Sequence, residues 1–120
     1  MSIHTEDNLN NIIKQIIKKS SFTERQIEII LKRRSLSDSQ FTITKGAFYR
    51  QVGQSKEKFQ ALCYSWMLFR ALGIIREEDM DVISRLSEQV SVIKNSDVFP
   101  EREEQVIAVI QELLERMCKL

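Results

Sequence analysis

Apolar residues recur at steps of three and four along most of this 120-residue chain, which is the spacing of one face of an α-helix. Leu9, Ile12, Ile13, Ile16 and Ile17 form the first such stripe. Only 3 Gly and 1 Pro interrupt the chain, so few positions favour turns. The sequence therefore predicts an all-α fold in one domain, residues 1–120, long enough to bury an ordinary core.

Several helix ends can be located from capping residues. Thr23 and Gln26 have the T-x-x-Q spacing of a capping box, which predicts a helix start next to Thr23. Thr44 is a good N-cap for a later helix. Gly73 can adopt the left-handed conformation that often ends a helix.

Gly53 and Ser55 suggest a break in the middle of that later helix. Glycine at position 53 suits a left-handed helix end, and serine at position 55 suits a new N-cap. We therefore predict one helix over residues 45–52, a tight turn at Gly53, and a second helix from residue 55 to residue 72.

Residues 45–62 resemble the helix-turn-helix unit of bacterial and archaeal transcription regulators. The matching residues are Phe48 and Val52 in the first helix, Gly53 at the turn, Ser55 as the cap, and Phe59 and Leu62 in the second helix. Tyr49 and Gln54 depart from the family pattern, which has a small and an apolar residue there. The resemblance implies a helix-turn-helix core of about four helices, with a recognition helix whose first turns enter the DNA groove.

A second resemblance follows directly along the chain. Residues 68–75, LFRALGII, are similar to the segment after the recognition helix of winged-helix domains, where the last two apolar residues open a strand. The residues after Ile75 have a helical pattern instead, so we expect the wing to be reduced or absent. Together the two resemblances imply a small winged-helix-like DNA-binding regulator.

The charges are divided unequally between two parts of the chain. Residues 1–76 contain 13 Lys or Arg and 6 Asp or Glu, a net charge of +7, whereas residues 77–120 contain 5 and 11, a net charge of −6. A polyanion would be attracted to the first part and repelled by the second, as expected if the first part docks on nucleic acid. Alternatively, the two parts complement each other within one fold or across a dimer.

The resemblance and the charge distribution together predict the residues that contact double-stranded DNA. At the start of the second helix, Ser55, Lys56, Lys58 and Gln60 would lie at the groove. The backbone phosphates would be held by Lys32, Arg33, Arg34, Lys45 and Arg50.

The remaining apolar residues predict which helix surfaces are buried and how the C-terminal part folds. The second helix becomes apolar almost all round after residue 61, so neighbours should bury that half, including Cys63. Residues 77–120 should form an acidic helical hairpin, its last helix capped by Ser96 or Asp97. Within residues 8–76 we place the basic core, and we expect the hairpin to join two chains in a homodimer.

Several classes of function find no support in the sequence. We expect no enzyme, metal or cofactor, because the chain has no Gly-rich phosphate loop, no ligand cluster and only one histidine, His4. No apolar run approaches the roughly 20 residues of a spanning helix, so we expect a cytoplasmic protein without a membrane segment. A DNA-binding transcription regulator or nucleoid-associated factor remains, with a helical adaptor for a protein partner as the alternative.

Overall fold

A computed structural model describes residues 9–38 and 40–120, and this part of the chain contains helices and no strand. The helices are α1 (Asn11–Lys19), α2 (Glu24–Arg33), α3 (Lys45–Ala71), α4 (Glu77–Ile93) and α5 (Pro100–Met117). The predicted all-α fold is therefore confirmed. Asn8, the first residue of the predicted basic core, and the lone His4 lie outside the described residues.

The predicted starts at Thr23 and Thr44 are confirmed. Thr23 Oγ1 accepts a hydrogen bond of 3.1 Å from the backbone N–H of Gln26, and Gln26 Oε1 accepts one of 3.0 Å from the N–H of Thr23. Thr44 Oγ1 accepts from the N–H of Ala47 at 3.1 Å. Each contact satisfies a backbone donor that the first helical turn leaves without a partner.

The predicted turn at Gly53 is wrong, because α3 runs without a break over 27 residues from Lys45 to Ala71. Gly53 is helical, and Gly73 is the glycine with a positive φ among the described residues. Ser55 lies inside the helix and is 2% exposed, so it does not act as an N-cap. The two-helix unit expected at residues 45–62 is thus replaced by a single helix.

Packing against α2 explains why the helix continues through Gly53. In a continuous helix, Val52, Ser55 and Phe59 share one face, and they border a groove with Ile29 and Ile30 of α2. A glycine inside a helix costs only about 1 kcal/mol relative to alanine. A turn there would disrupt several backbone hydrogen bonds and rotate this apolar face away from α2.

Gly73 ends α3 as predicted. Its φ is 76°, and the N–H of Ile74 donates to the carbonyl of Phe69 at 2.8 Å, the long backbone bond of a Schellman motif. Arg70 secures the connection to α4, since its guanidinium donates to the Ile75 carbonyl at 3.0 Å and lies 3.4 Å from Glu77 Oε1.

The start of the last helix differs from the prediction. Phe99 occupies the N-cap position of α5 and makes no side-chain cap, whereas Ser96 and Asp97 lie before it in the loop. Pro100 is the first residue of the helix. Its fixed φ and missing N–H suit that position, which explains why the helix begins there without a polar cap.

The helices pack in an order that joins both ends of the chain. α2 packs on α3, α1 packs on α2 and α5, and α4 packs on α5. Asn10 links α1 to the end of α4, because its Oδ1 accepts from the N–H of Ile13 while its Nδ2 donates to the carbonyls of Ile93 at 2.5 Å and Ser96 at 3.2 Å. One amide side chain therefore caps a helix start and a helix end together.

The buried core is small for a chain of this length. Among the described residues the buried hydrophobic side chains are Ile12, Ile17, Ile29 and Ile75. The expected burial of the second half of α3 is wrong within this chain: Tyr64 is 70% exposed, Leu72 is 66% exposed, and Cys63 is exposed as well. α2 has only ten residues, so it covers only part of the length of α3.

Candidate nucleic-acid interface

A groove with a basic rim lies between α2 and α3. Its volume is about 670 Å³. Ile29, Val52 and Phe59 give it an apolar lining, while Arg33, Arg34 and Lys56 supply positive charge. The structure thus brings together three of the cations that the sequence predicted at a DNA site.

The end of α2 fixes the positions of Arg33 and Arg34. Ser35 has a φ of 59°, and the N–H of Leu36 donates to the carbonyl of Leu31 at 2.8 Å, so the helix closes just after the two arginines. Positive side chains are favourable at this end of a helix. The guanidinium carbon of Arg34 also lies 5.3 Å from the centre of the Phe59 ring, a cation–π contact that holds it across the groove.

The other predicted groove residues lie along α3. Lys56 and Gln60 are exposed and line the groove. Lys45 precedes Lys56 by 11 residues, which is about three helical turns or about 16 Å, so both lysines lie on one face of α3. Arg50 is exposed but lies about a third of a turn away from that face.

These cations have no carboxylate partner in the part of the chain that the structure describes. The salt bridges found there involve Lys14, Arg70, Arg76 and Arg116. By contrast, a set that we call the basic cluster is exposed and forms no ion pair with any described residue. The basic cluster consists of Arg33, Arg34, Lys45, Arg50 and Lys56. An external anion would therefore meet charges that no described residue neutralises.

The structure places two of the predicted DNA contacts, Ser55 and Lys58, away from the surface of the groove. Lys58 points to the turn between α1 and α2, where its Nζ donates to the Ser21 carbonyl and to Gln26 Oε1, both at 2.8 Å. Ser55 is buried beneath the groove, and its Oγ finds no hydrogen-bond partner. Ser55 is thus covered by the protein, while the Lys58 ammonium is engaged with the turn between α1 and α2.

Lys32 lies apart from the groove. It is half-buried, and its Nζ is 5.7 Å from the centre of the Phe41 ring. The same ring lies 5.1 Å from the guanidinium carbon of Arg25, so Phe41 is held between two cations. This arrangement anchors the loop after α2 to the helix, a role that sequence analysis did not assign to Lys32.

Sequence analysis placed Cys63, Tyr64 and Met67 in a buried half-helix, but they line the far end of the groove. Residues 56, 60, 63 and 67 share a face at steps of four, three and four, a spacing that the predicted helix over residues 55–72 already contained. The groove is therefore basic at one end and apolar at the other.

No family model matches the chain, and no curated protein or solved structure is significantly similar to it. The helices described over residues 9–38 and 40–120 include none that is long and apolar enough to cross a bilayer. In the same residues, no group of three or more His, Cys, Asp or Glu side chains is arranged to hold a metal ion.

Proposed function

We propose that this protein binds double-stranded DNA, chiefly through its phosphate backbone, by means of the basic cluster. The observation that carries the proposal is that five exposed cations on α2 and α3 lack an ion-pair partner among the described residues. Three of them, Arg33, Arg34 and Lys56, converge on one groove. Lysine and arginine side chains in this state release condensed counterions when they meet phosphates, which drives binding.

Backbone recognition fits the structure better than a groove-reading helix. The expected recognition helix would have begun at Ser55, yet this residue is buried in the middle of α3. Lys56 and Gln60 consequently lie on the side of a long helix instead of at an N-terminus, which is the part that helix-turn-helix proteins present to bases. Phosphate contacts fix position without reading sequence, so we favour a nucleoid-associated factor over a site-specific regulator.

The acidic part of the chain sets the orientation of the proposed complex. α4 and α5 lie within residues 77–120, which have a net charge of −6, whereas the basic cluster lies within residues 1–76. A DNA duplex that approaches α4 or α5 would be repelled. The protein should therefore dock with α2 and α3 toward the duplex and with the acidic helices away from it.

The test is fluorescence anisotropy of a mixed-sequence duplex titrated with protein at several salt concentrations. Neutralising three phosphates contributes about 2.7 to the slope of log affinity against log salt. We expect the triple variant Arg33→Ala, Arg34→Ala, Lys56→Ala to bind more weakly and to lose about that much of the slope.

A matched control separates the site from net charge. Arg85, Lys94 and Arg102 are exposed cations on or next to α4 and α5, and replacing all three by alanine removes the same total charge. This control should bind with nearly the wild-type slope. Equal losses in the two triple variants would contradict binding at the basic cluster, and absence of binding by the wild-type protein at low salt would contradict DNA binding itself.

A helical adaptor for a protein partner remains the second candidate. The observation that favours it is the exposed apolar surface of α3, where Tyr64, Met67 and Leu72 are each more than 60% exposed. Contiguous apolar patches on soluble proteins often mark interaction sites. A protein that stays monomeric at high concentration and fails to bind DNA would favour this candidate.

A further inference from the structure

We propose that a second copy of this chain covers the C-terminal half of α3 and makes the protein a homodimer. The surface concerned, which we call the apolar segment, comprises residues 62–74. Its large exposed side chains are Leu62, Tyr64, Met67, Leu68, Phe69, Leu72 and Ile74, all between 40% and 70% exposed.

The composition of this half-helix is that of a buried interface. Residues 59–72 include one charged residue, Arg70, together with Phe59, Tyr64, Trp66 and Phe69. Interface cores are depleted in charged residues and enriched in aromatic residues and methionine. Because Arg70 already contacts the Ile75 carbonyl and Glu77, its charge does not prevent the segment from being covered.

The geometry of the chain leaves this half-helix projecting beyond its neighbour. α3 is about 40 Å long, whereas the ten residues of α2 span about 15 Å. Leu68 follows Phe59, which borders the groove with α2, by nine residues, so it points to the opposite side of the helix. A helix with apolar residues all round its axis is stable in water only when neighbours bury it.

The area of the chain supports burial by a partner of substantial size. The accessible surface is 9330 Å². A compact monomer of 14.1 kDa exposes about 6,700 Å². Even if residues 1–8 contributed the full area of an unfolded segment, roughly 1,300 Å², an excess on the order of 1,300 Å² would remain.

This excess matches what one subunit buries in a stable dimer. Standard interfaces bury about 800 Å² per partner, and obligate homodimers bury roughly 1,000 Å² or more. A second copy brings the same nearly uncharged segment, so two-fold pairing places no unpaired like charges together. The net charge of +1 per chain also leaves little overall repulsion between two copies.

Two residues of equal exposure allow a matched test of the interface. Leu68 on α3 and Val109 on α5 are both helical aliphatic residues that are 50% exposed. By sedimentation equilibrium, the wild-type protein should have twice the 14.1 kDa mass of one chain. Leu68→Glu should sediment as a monomer, while Val109→Glu should remain a dimer, with circular dichroism confirming that both are helical.

The outcomes are distinct for each alternative. A monomeric wild-type protein, or a dimeric Leu68→Glu, would overturn the proposal. Dissociation of Val109→Glu alone would place the interface on the C-terminal helices instead, as sequence analysis had expected. These results do not depend on DNA binding, since the measurements use protein alone.

The wild-type protein offers a second measurement that needs no substitution. Trp66 is the only tryptophan of the chain and lies half-buried within the apolar segment, so fluorescence excited selectively at tryptophan reports on this segment. As the protein concentration rises through the dimerisation range, its emission should shift to shorter wavelength and acrylamide quenching should decrease. Unchanged emission and quenching in a protein that dimerises would rule out this interface, and the same measurement decides the case if both variants dissociate or Leu68→Glu fails to fold.

Discussion

At the level of single residues, Lys56 and Lys58 show how two neighbouring lysines acquire different roles. Both are basic, and both were expected at the DNA groove. Lys58 is half-buried and donates to Ser21 and Gln26, with its Nζ 5.9 Å from the centre of the Phe22 ring. Lys56, two positions earlier, is exposed at the rim of the groove. Two residues correspond to 200° around a helix, so the lysines point in nearly opposite directions.

We expect Lys58→Ala to destabilise the protein and Lys56→Ala to leave its stability almost unchanged. The first substitution removes two hydrogen bonds from a charged donor and leaves Gln26 Oε1 with one partner fewer, a loss of about 1 to 2 kcal/mol in unfolding free energy. The second alters an exposed side chain, for which about 0.5 kcal/mol is the usual limit. Urea unfolding at a fixed protein concentration measures both. Equal stabilities for the two variants would argue against the contacts of Lys58.

DNA binding by the same two variants should show the reverse order. Lys56→Ala should lower the slope of log affinity against log salt by about 0.9, the contribution of one phosphate. Lys58→Ala should leave that slope unchanged while the protein is folded, because its ammonium is turned away from the basic cluster.

At the level of elements, α3 is the helix on which the sequence and the structure differ most. Gly53 has helical geometry, and a Cβ atom added there would meet nothing within 4 Å. Gly73 also has open space around it, but its φ is +76°. A Cβ atom would thus find space at both positions, but only Gly73 has a backbone conformation that residues other than glycine rarely adopt.

Alanine at these two positions should change stability in opposite directions. Gly53→Ala should raise the free energy of unfolding by about 1 kcal/mol, because alanine loses less backbone entropy in a helix interior. Gly73→Ala should lower it by about 1 to 2 kcal/mol, because a Cβ is strained in the left-handed region. Chemical denaturation provides both values. If Gly53→Ala were destabilising, Gly53 would have to be a turn residue and the helix-turn-helix expectation would regain support.

The positions of helix ends could be predicted from the sequence where the cap is a local contact. Thr23, Gln26, Thr44 and Gly73 act within four residues of themselves, and the structure confirms all four. Gly53 and Ser55 have the same local preferences, but packing of α3 on α2 outweighs preferences worth about 1 kcal/mol each. Local residue preferences indicate where capping contacts form, but they do not indicate how α3 packs on α2.

The candidate site was predictable to a similar degree. Charge distribution along the chain selected Arg33, Arg34 and Lys56, which the fold brings to one groove. The burial of Ser55 follows from the continuity of α3 through Gly53. The position of Lys58 follows from its long-range contacts with Ser21 and Gln26, which a local sequence pattern does not reveal.

At the level of the whole molecule, Asn10 connects the first helix to the loop that precedes the last. Its side chain both accepts a hydrogen bond from Ile13 and donates to the carbonyls of Ile93 and Ser96. An aspartate would keep the acceptor but would replace the donor by a second oxygen facing two carbonyl oxygens. The hydrogen bonds from position 10 to Ile93 and Ser96 therefore require an amide side chain.

We expect Asn10→Asp to destabilise the protein by about 2 kcal/mol, although asparagine and aspartate are equally good N-caps. The control is Thr44→Asp, since Thr44 caps α3 through Ala47 alone and its replacement should change stability by less than about 1 kcal/mol. Thermal or urea unfolding compares the two variants at one protein concentration. Equal effects would show that the bonds to Ile93 and Ser96 contribute nothing beyond capping.

The proposed dimer and the proposed DNA interface use different parts of α3. The basic cluster occupies the N-terminal half of the helix and the end of α2, whereas the apolar segment begins at residue 62. A two-fold pair would therefore carry two basic clusters, each on residues that precede the apolar segment. Linking two weak sites in this way raises the effective affinity for a long polyanion through local concentration.

The packing of α1 on α5 also determines the order in which the chain can fold during synthesis. α2 and α3 are neighbours in sequence, so they can pack as soon as both have left the ribosome. α1, although it is made before the other described helices, finds its contact with α5 only after residues 100–117 have been added. Until then the apolar face of α1 has only part of its final cover. Of the helices that the structure describes, the earliest one made thus completes its packing only when α5 is present.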